Sequence, residues 1–179
     1  MDNSADEVHR DLQGKPFGPA EWNKWTAMAA ADTVPGALQF LKYAASKNIE
    51  IYYISNRDEN DRTGTLQNLL RFDFPNVDNA HLLLRQNTSG KESRRQQVMT
   101  EHDVVLLLGD NLSDFSSLFD KKLYTERLQV TQQQAGEFGN RFIILPNPIY
   151  GDWELALYQY KQLTPLQKDS AIRQWLKNY

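Results

Sequence analysis

Hydrophobic positions along the chain switch repeatedly between a helical period and short apolar runs. Trp22, Trp25, Met28 and Ala29 recur at helical spacing within residues 20–31. Pro35 and Gly36 then open a second helix that carries Leu38, Leu41 and Ala45 on one face. Ile49–Ser55 predicts a strand, with Asn56, Arg57 and Asp58 leaving its carboxyl end. Residues 62–72 predict a helix, His81–Arg85 a short strand, and Lys91–Glu101 a charged, exposed helix. Val104–Leu108 is the most apolar strand, and Arg141–Leu145 is another that ends in Pro146, Asn147 and Pro148. The Gln129–Gln134 run reads as helix surface, and a closing helix from Thr164 carries Ile172, Trp175 and Leu176. Helices alternating with strands predict an α/β fold: a Rossmann-like, mostly parallel sheet flanked by helices on both faces.

Composition narrows this little. The 179 residues suit one domain, with 40% hydrophobic and 24% charged residues, an ordinary globular balance. A net charge of −3, with no basic stripe, gives no reason to expect nucleic-acid binding. There are no cysteines, which excludes disulfides, thiolate metal sites and Cys nucleophiles. His9, His81 and His102 are scattered, without metal-ligand spacing. No apolar run reaches transmembrane length, and Met1-Asp2-Asn3-Ser4 is polar, unlike a signal peptide.

Three places carry candidate chemistry. Ser55, Asn56 and Arg57 offer a hydroxyl, an amide and a cation at a strand's carboxyl end, where ligands of open α/β sheets collect. At Ser89-Gly90-Lys91 a helix begins, so free N–H groups and a cation can face an anion. After the most apolar strand, Gly109-Asp110-Asn111-Leu112-Ser113-Asp114 sets two carboxylates four residues apart, suited to a hard cation such as Mg²⁺. The same residues also suit a turn, with Ser113 or Asp114 capping the next helix. Spacing alone leaves both readings open. A hydroxyl, a lysine and an acidic loop in this order suit phosphoryl transfer, in which cations neutralise phosphate oxygens.

In that order Ser55-Asn56-Arg57, Gly90-Lys91 and Gly109-Asp110-Asn111-Leu112-x-Asp114-Phe115 resemble the haloacid dehalogenase superfamily. More narrowly, the chain resembles the bacterial class C acid phosphatases, whose best-known members are outer-membrane lipoproteins. Further stretches carry that narrower likeness: Met1-Asp2-Asn3-Ser4, Lys15-Pro16-Phe17 before Glu21-Trp22, and Val34-Pro35-Gly36-Ala37. Gly136-Glu137-Phe138-Gly139 leading to Leu145-Pro146-Asn147, and Tyr150-Gly151-x-Trp153-Glu154, extend it nearly end to end.

The resemblance implies a Mg²⁺-dependent hydrolase of phosphomonoesters, nucleotides or aryl phosphates. It makes Ser55 and Lys91 the catalytic phosphate-holding pair and has Asn56 and Arg57 shape the phosphate pocket. Asp110 becomes a direct metal ligand, supported by Asp114. Trp22 and Tyr150 match positions that stack a leaving group, although Trp22 serves equally well as core. By the same resemblance residues 1–48 are a mainly helical, cap-like segment of one domain spanning 1–179. The implied setting is periplasmic or outer-membrane, with attachment only through a lipid anchor preceding the chain, and a homodimer is compatible with it.

One part of that machinery is missing. The family's mechanism uses an aspartate nucleophile and, two residues later, an aspartate acid/base, both in an Asp-x-Asp-Glu-Thr motif at the end of the first strand. In relatives this motif comes just before the segment matching Met1–Ser4, so the chain is expected to be an N-terminally truncated phosphatase lacking the first central strand. Asp2 and Asp6 do not follow an apolar strand and do not replace it. The expectation is a nearly inactive chain. The alternatives are a non-catalytic phosphate- or nucleotide-binding remnant and, more distantly, a receiver-like signalling domain.

Overall fold

Parallel strands joined by a helix are what the alternating pattern builds, and the chain builds two such pairs. The structure, a computed structural model, describes residues 1–176. Two units are evident, Met1–Ser89 and the part from Gly90 onward.

The first unit runs α1 (Ser4–Leu12), α2 (Pro19–Ala27), α3 (Ala37–Ser46), β1 (Tyr53–Asp58), α4 (Arg62–Arg71) and β2 (Leu82–Arg85). β1 and β2 are parallel, with Tyr53 opposite Leu82 and Ile54 opposite Leu83, and α4 makes the crossover. Leu69 of α4, Phe74, Leu82 and Leu84 form the buried core, with Leu38, Leu41 and Tyr53 packed against it. Pro19 sits in the first turn of α2, where a missing N–H costs nothing. Gly36 precedes α3 at φ 79°, a conformation that favours glycine.

Helices α2 and α4 meet at backbone distance. A Cβ on Gly64 would lie 2.3 Å from the Thr26 carbonyl oxygen, so only glycine admits this approach. One turn further, Asn68 is fully buried. Its amide accepts from Ala31 N–H at 3.0 Å and donates to the Ala31 carbonyl at 2.9 Å, satisfying both polar groups of a buried loop residue.

The second unit runs α5 (Glu92–Met99), β3 (Leu107–Gly109), α6 (Tyr124–Gln133), β4 (Phe142–Ile144), α7 (Asp152–Leu157) and α8 (Pro165–Trp175). β3 and β4 are again parallel, pairing Leu107 with Phe142 and Gly109 with Ile144. Its core is aromatic. Phe115 stacks on Phe142 with ring centroids 5.0 Å apart, and Phe138 meets both edge-on. Phe119 is completely buried beside Phe138.

The α/β class follows the pattern, while several boundaries and exposures differ from it. β1 starts at Tyr53 rather than Ile49, because the Ile49 N–H bonds to the end of α3 and the Ile51 N–H to Asn76. It then continues through Asp58, which places Asn56 and Arg57 inside the strand with Ser55 rather than beyond it. α5 is not simply an exposed helix, since Arg95 and Val98 are buried. The apolar run Val104–Leu108 contributes only Leu107 and Leu108 to a strand, and Val105 and Leu108 stay exposed. Among the described residues, β3 is paired along one edge only, by β4, and the four strands form two separate pairs instead of one sheet. Helix α8 buries none of its residues and is held by contacts such as Trp175 against Tyr124. No described helix is long and apolar enough to cross a membrane.

Two stability predictions come from the first unit. Asn68→Ala leaves two buried backbone groups of Ala31 unpaired and should cost about 2–4 kcal/mol, read from urea unfolding. His81 lies between two carboxylates, with Nδ1 2.8 Å from Asp78 and Nε2 2.6 Å from Glu50. Two acceptors around one ring call for a doubly protonated imidazole. Burial lowers the His81 pKa, but hydrogen bonds and charge from Glu50 and Asp78 outweigh it and leave it raised. The resulting stabilisation is full below the unfolded value of about 6.5 and is lost as pH rises through the folded value. His81→Gln should therefore lower the urea midpoint at about pH 5.5 and have little effect at about pH 8.5.

Candidate active site

The carboxyl end of β3 is closed by a carboxylate folding back on it. Asp114 Oδ2 accepts the N–H groups of Asp110 at 3.1 Å and Asn111 at 3.0 Å. Its Oδ1 lies 2.6 Å from Lys91 Nζ, at the start of α5, in a largely buried ion pair. The fold-back requires Gly109, where a Cβ would sit 2.4 Å from Asp114 Cβ and 2.5 Å from Oδ2. Lys91, Asp110 and Asp114, predicted from the sequence, are thus brought together. The turn reading holds at the same time, but the cap differs: Asn111 is the N-cap of the short 112–114 helix, and Asp114 bonds back to its N–H from the third position instead of capping the next helix.

Asp110 is oriented differently. Its Oδ2 accepts from Asn147 Nδ2 at 2.9 Å, and the residue is one of those lining a mainly apolar cavity of about 430 Å³, with Asn111, Tyr124, Ile144, Leu145 and Asn147. Burial pushes its carboxyl pKa up, the Asp114 charge adds to this, and the Lys91 charge opposes it. Two carboxylates facing one ammonium leave an excess of negative charge, which a divalent cation would offset. Among the described residues no group of three His, Cys, Asp or Glu converges on one point. A site of one or two carboxylates suits a hard divalent cation that keeps several waters and completes its shell with phosphate.

A second layer fixes these groups. Asn147 Oδ1 accepts from the N–H groups of Ile149 and Tyr150, so the amide that holds Asp110 is itself anchored to the Tyr150 segment. Asn111 Oδ1 accepts from Asp152 N–H at 3.0 Å, and Ser113 Oγ donates to Asp152 Oδ2 at 2.5 Å. Gly151, at φ 148°, leaves room for that crossing, since a Cβ there would lie 2.4 Å from Asn111 Oδ1.

The first unit holds the remaining candidates. Ser55 Oγ accepts the Arg57 N–H at 3.1 Å, and Asn56 is exposed. Arg57 is buried, with its guanidinium donating to Thr65 Oγ1 and Asn3 Oδ1 and lying 5.6 Å from the ring centres of both Trp22 and Trp25. Trp22 is half-buried and donates its Nε1–H to Asp61 at 3.0 Å. Asp61 also accepts from Thr26 Oγ1 at 2.6 Å and from Asp58 N–H at 3.1 Å. Asp2 and Asp6 serve locally: Asp2 accepts from Ser4 N–H, and Asp6 pairs with Arg10.

Residues 1–153 match the family model described as HAD superfamily, subfamily IIIB (Acid phosphatase). The chain belongs to this acid phosphatase family. It is 43% identical to the class C acid phosphatase from Bacillus anthracis, with a TM-score of 0.93. That match covers 100% of this chain and 75% of the other. The Bacillus anthracis class C enzyme with tungstate bound is 42% identical, covers 100% and 76% of the two chains, and gives a TM-score of 0.94. The fold is accordingly the haloacid dehalogenase-like α/β fold, and the family's activity is phosphomonoester hydrolysis.

Within this acid phosphatase chain, sequence reasoning assigned no role to Asn111, Asn147, Asp152 or Arg95. Arg95 had a signal: it follows Lys91 by four residues and so shares its helix face. Asn147, flanked by prolines just past β4, stands out as a polar residue at a strand's carboxyl end. The Asn111–Asp152 pairing had no local signal. Gly109→Ala should push Asp114 off the β3 end and lower stability by about 1–3 kcal/mol. Gly136→Ala, where the added methyl meets open space, should change little in the same urea titration.

Proposed function

We propose that this chain supplies the phosphate- and metal-holding part of a Mg²⁺-dependent acid phosphatase acting on nucleotides or aryl phosphates. The observation that supports this most is the Lys91–Asp114 pair set beside Asp110, in a chain of this family. Asp110 is the one of the two acidic residues that lines the cavity, and its carboxylate is the group that would hold Mg²⁺. Asp114, taken up by Lys91 and two N–H groups, steadies the loop around it. When bound, the cation would neutralise phosphate oxygens and orient the ester.

Lys91 contributes a fixed positive charge for phosphate, and its own position is held by Asp114. Ser55 offers a hydroxyl hydrogen to a phosphate oxygen while its lone pair holds the Arg57 N–H. Trp22 presents an aromatic face for a base or aryl group, with the indole clamped by Asp61 and flanked by Arg57. Tyr150, tied through Asn147 to Asp110, is the other stacking candidate.

The sequence contains no Asp-x-Asp pair, so the nucleophile and general acid of the reaction are not supplied by these residues. Alone, the chain should hydrolyse an aryl phosphate barely above background. A version extended with a strand ending Asp-x-Asp should turn it over with Mg²⁺ and lose that activity with Asp110→Ala. Full turnover by the 179 residues alone would overturn this mechanism. The same lack supports a second reading, a non-catalytic phosphate binder. Calorimetry with Mg²⁺ and inorganic phosphate tests it: binding without turnover, even in the extended version, would favour the binder.

A further inference from the structure

Arg95 is a buried arginine that the phosphatase reading leaves without a role. It lies one turn beyond Lys91 on α5 and is 5% exposed. One guanidinium nitrogen, Nη1, donates to the carbonyl of Ser113 at 3.1 Å and to that of Asp114 at 2.8 Å. The other, Nη2, lies 2.6 Å from Glu92 Oε2. Glu92 Oε2 in turn accepts the Ser117 N–H at 3.3 Å, and Gln96 Nε2 reaches Glu92 Oε1 at 3.3 Å. Both carbonyls belong to the short turn that begins at Leu112, immediately beyond the residues proposed to hold the cation.

Two contacts therefore tie α5 to the loop after β3. Lys91 grips the Asp114 side chain, and Arg95 grips the Asp114 backbone with that of its neighbour. The two do different work. Lys91 cannot fix where the Asp114 main chain lies, because a flexible stem with a compact charge follows its partner. A planar guanidinium that bonds two successive carbonyls and one carboxylate sets both distance and orientation. Once that backbone is placed, Asp114 Oδ2 falls within reach of the Asp110 and Asn111 N–H groups, and the Asp110 carboxylate is left to Asn147.

We propose that Arg95 is the positioning residue of this site, holding the 110–114 loop in register with Lys91. It touches neither substrate nor metal and acts through Asp114. The inference concerns loop geometry. It rests on the phosphatase reading only where it speaks of the cation.

Backbone amide exchange, followed residue by residue by NMR on the 179-residue chain, tests it. In Arg95→Met, which keeps the apolar stem, the Asp110 and Asn111 amides should exchange about tenfold faster or more. The Leu107 and Leu145 amides, bonded to the Arg141 and Gly109 carbonyls across the β3–β4 pair, should be unchanged. Uniform acceleration would mark a merely structural residue and overturn the proposal, as would unchanged Asp110 and Asn111 amides. If Arg95→Met does not fold, Arg95→Lys decides. It keeps the charge but not the fork, and should still speed those two amides selectively; wild-type rates there would overturn the proposal.

Mg²⁺ titration of the same samples separates the two readings. About tenfold weaker binding in the variant supports both, by the same loss of hydrogen bonds. No Mg²⁺ binding by the wild type would sink the metal part of the proposed function, leaving the exchange pattern to decide on Arg95. Equal Mg²⁺ affinity in both proteins would confine Arg95 to the scaffold and overturn its positioning role.

Discussion

Much of the second unit depends on one carboxylate folded back on the strand before it. Asp114 closes the end of β3 through two N–H groups, and Lys91 compensates its charge at the start of α5. A largely buried carboxylate is tolerable only with such partners, because desolvation is otherwise unopposed. With Asp114 satisfied in this way, Asp110 is left as the acidic residue lining the cavity, its proton affinity raised first by burial. The division between the two acids, one structural and one chemical, follows from that single fold-back. Gly109 permits it by having no side chain.

The first unit uses the same local device to a different end. After β1, Asp61 folds back to accept the Asp58 N–H, as Asp114 does four residues beyond Asp110. Its remaining capacity goes to Trp22 and Thr26 of α2 rather than to a lysine. A capping carboxylate at one strand end thus orients an aromatic ring, while at the other it orients a cation. Each is a buried acceptor with more lone pairs than one turn can use, and the surplus recruits a residue from another helix. Arg57 completes the first arrangement, with its guanidinium against both indoles.

Most element types and their order were legible from periodicity, as was the α/β class, while helices α1 and α7 had no such reading. The ordered triad Ser55, Lys91 and Asp110 carried the family, since residue types suited to phosphate and metal recur at strand ends. Boundaries were less legible. Apolarity alone marks Ile49–Ile54 and Val104–Leu108 as strands, yet a strand exists only where a partner backbone pairs with it. β2 begins opposite Tyr53, and β4 opposite Leu107, so pairing starts there. Arg95 was hidden for a related reason. In a helix rich in charge it reads as solvated, until two carbonyls from nearly twenty residues away arrive to bond it.

By itself the sequence determined the inventory: which residues could bind phosphate or a cation, which helices and strands would carry them, and that no Asp-x-Asp pair is among them. Only the tertiary structure decided how the inventory was used. Asp110 lines a cavity while Asp114 is consumed by Lys91, and Arg57 lies against tryptophans. The physical reason is common to all three. Local propensity depends on neighbours in the chain, whereas the state of a charged side chain depends on the partners that folding brings to it. Those partners, Asn147 for Asp110 and Trp22 for Arg57, come from 37 and 35 residues away.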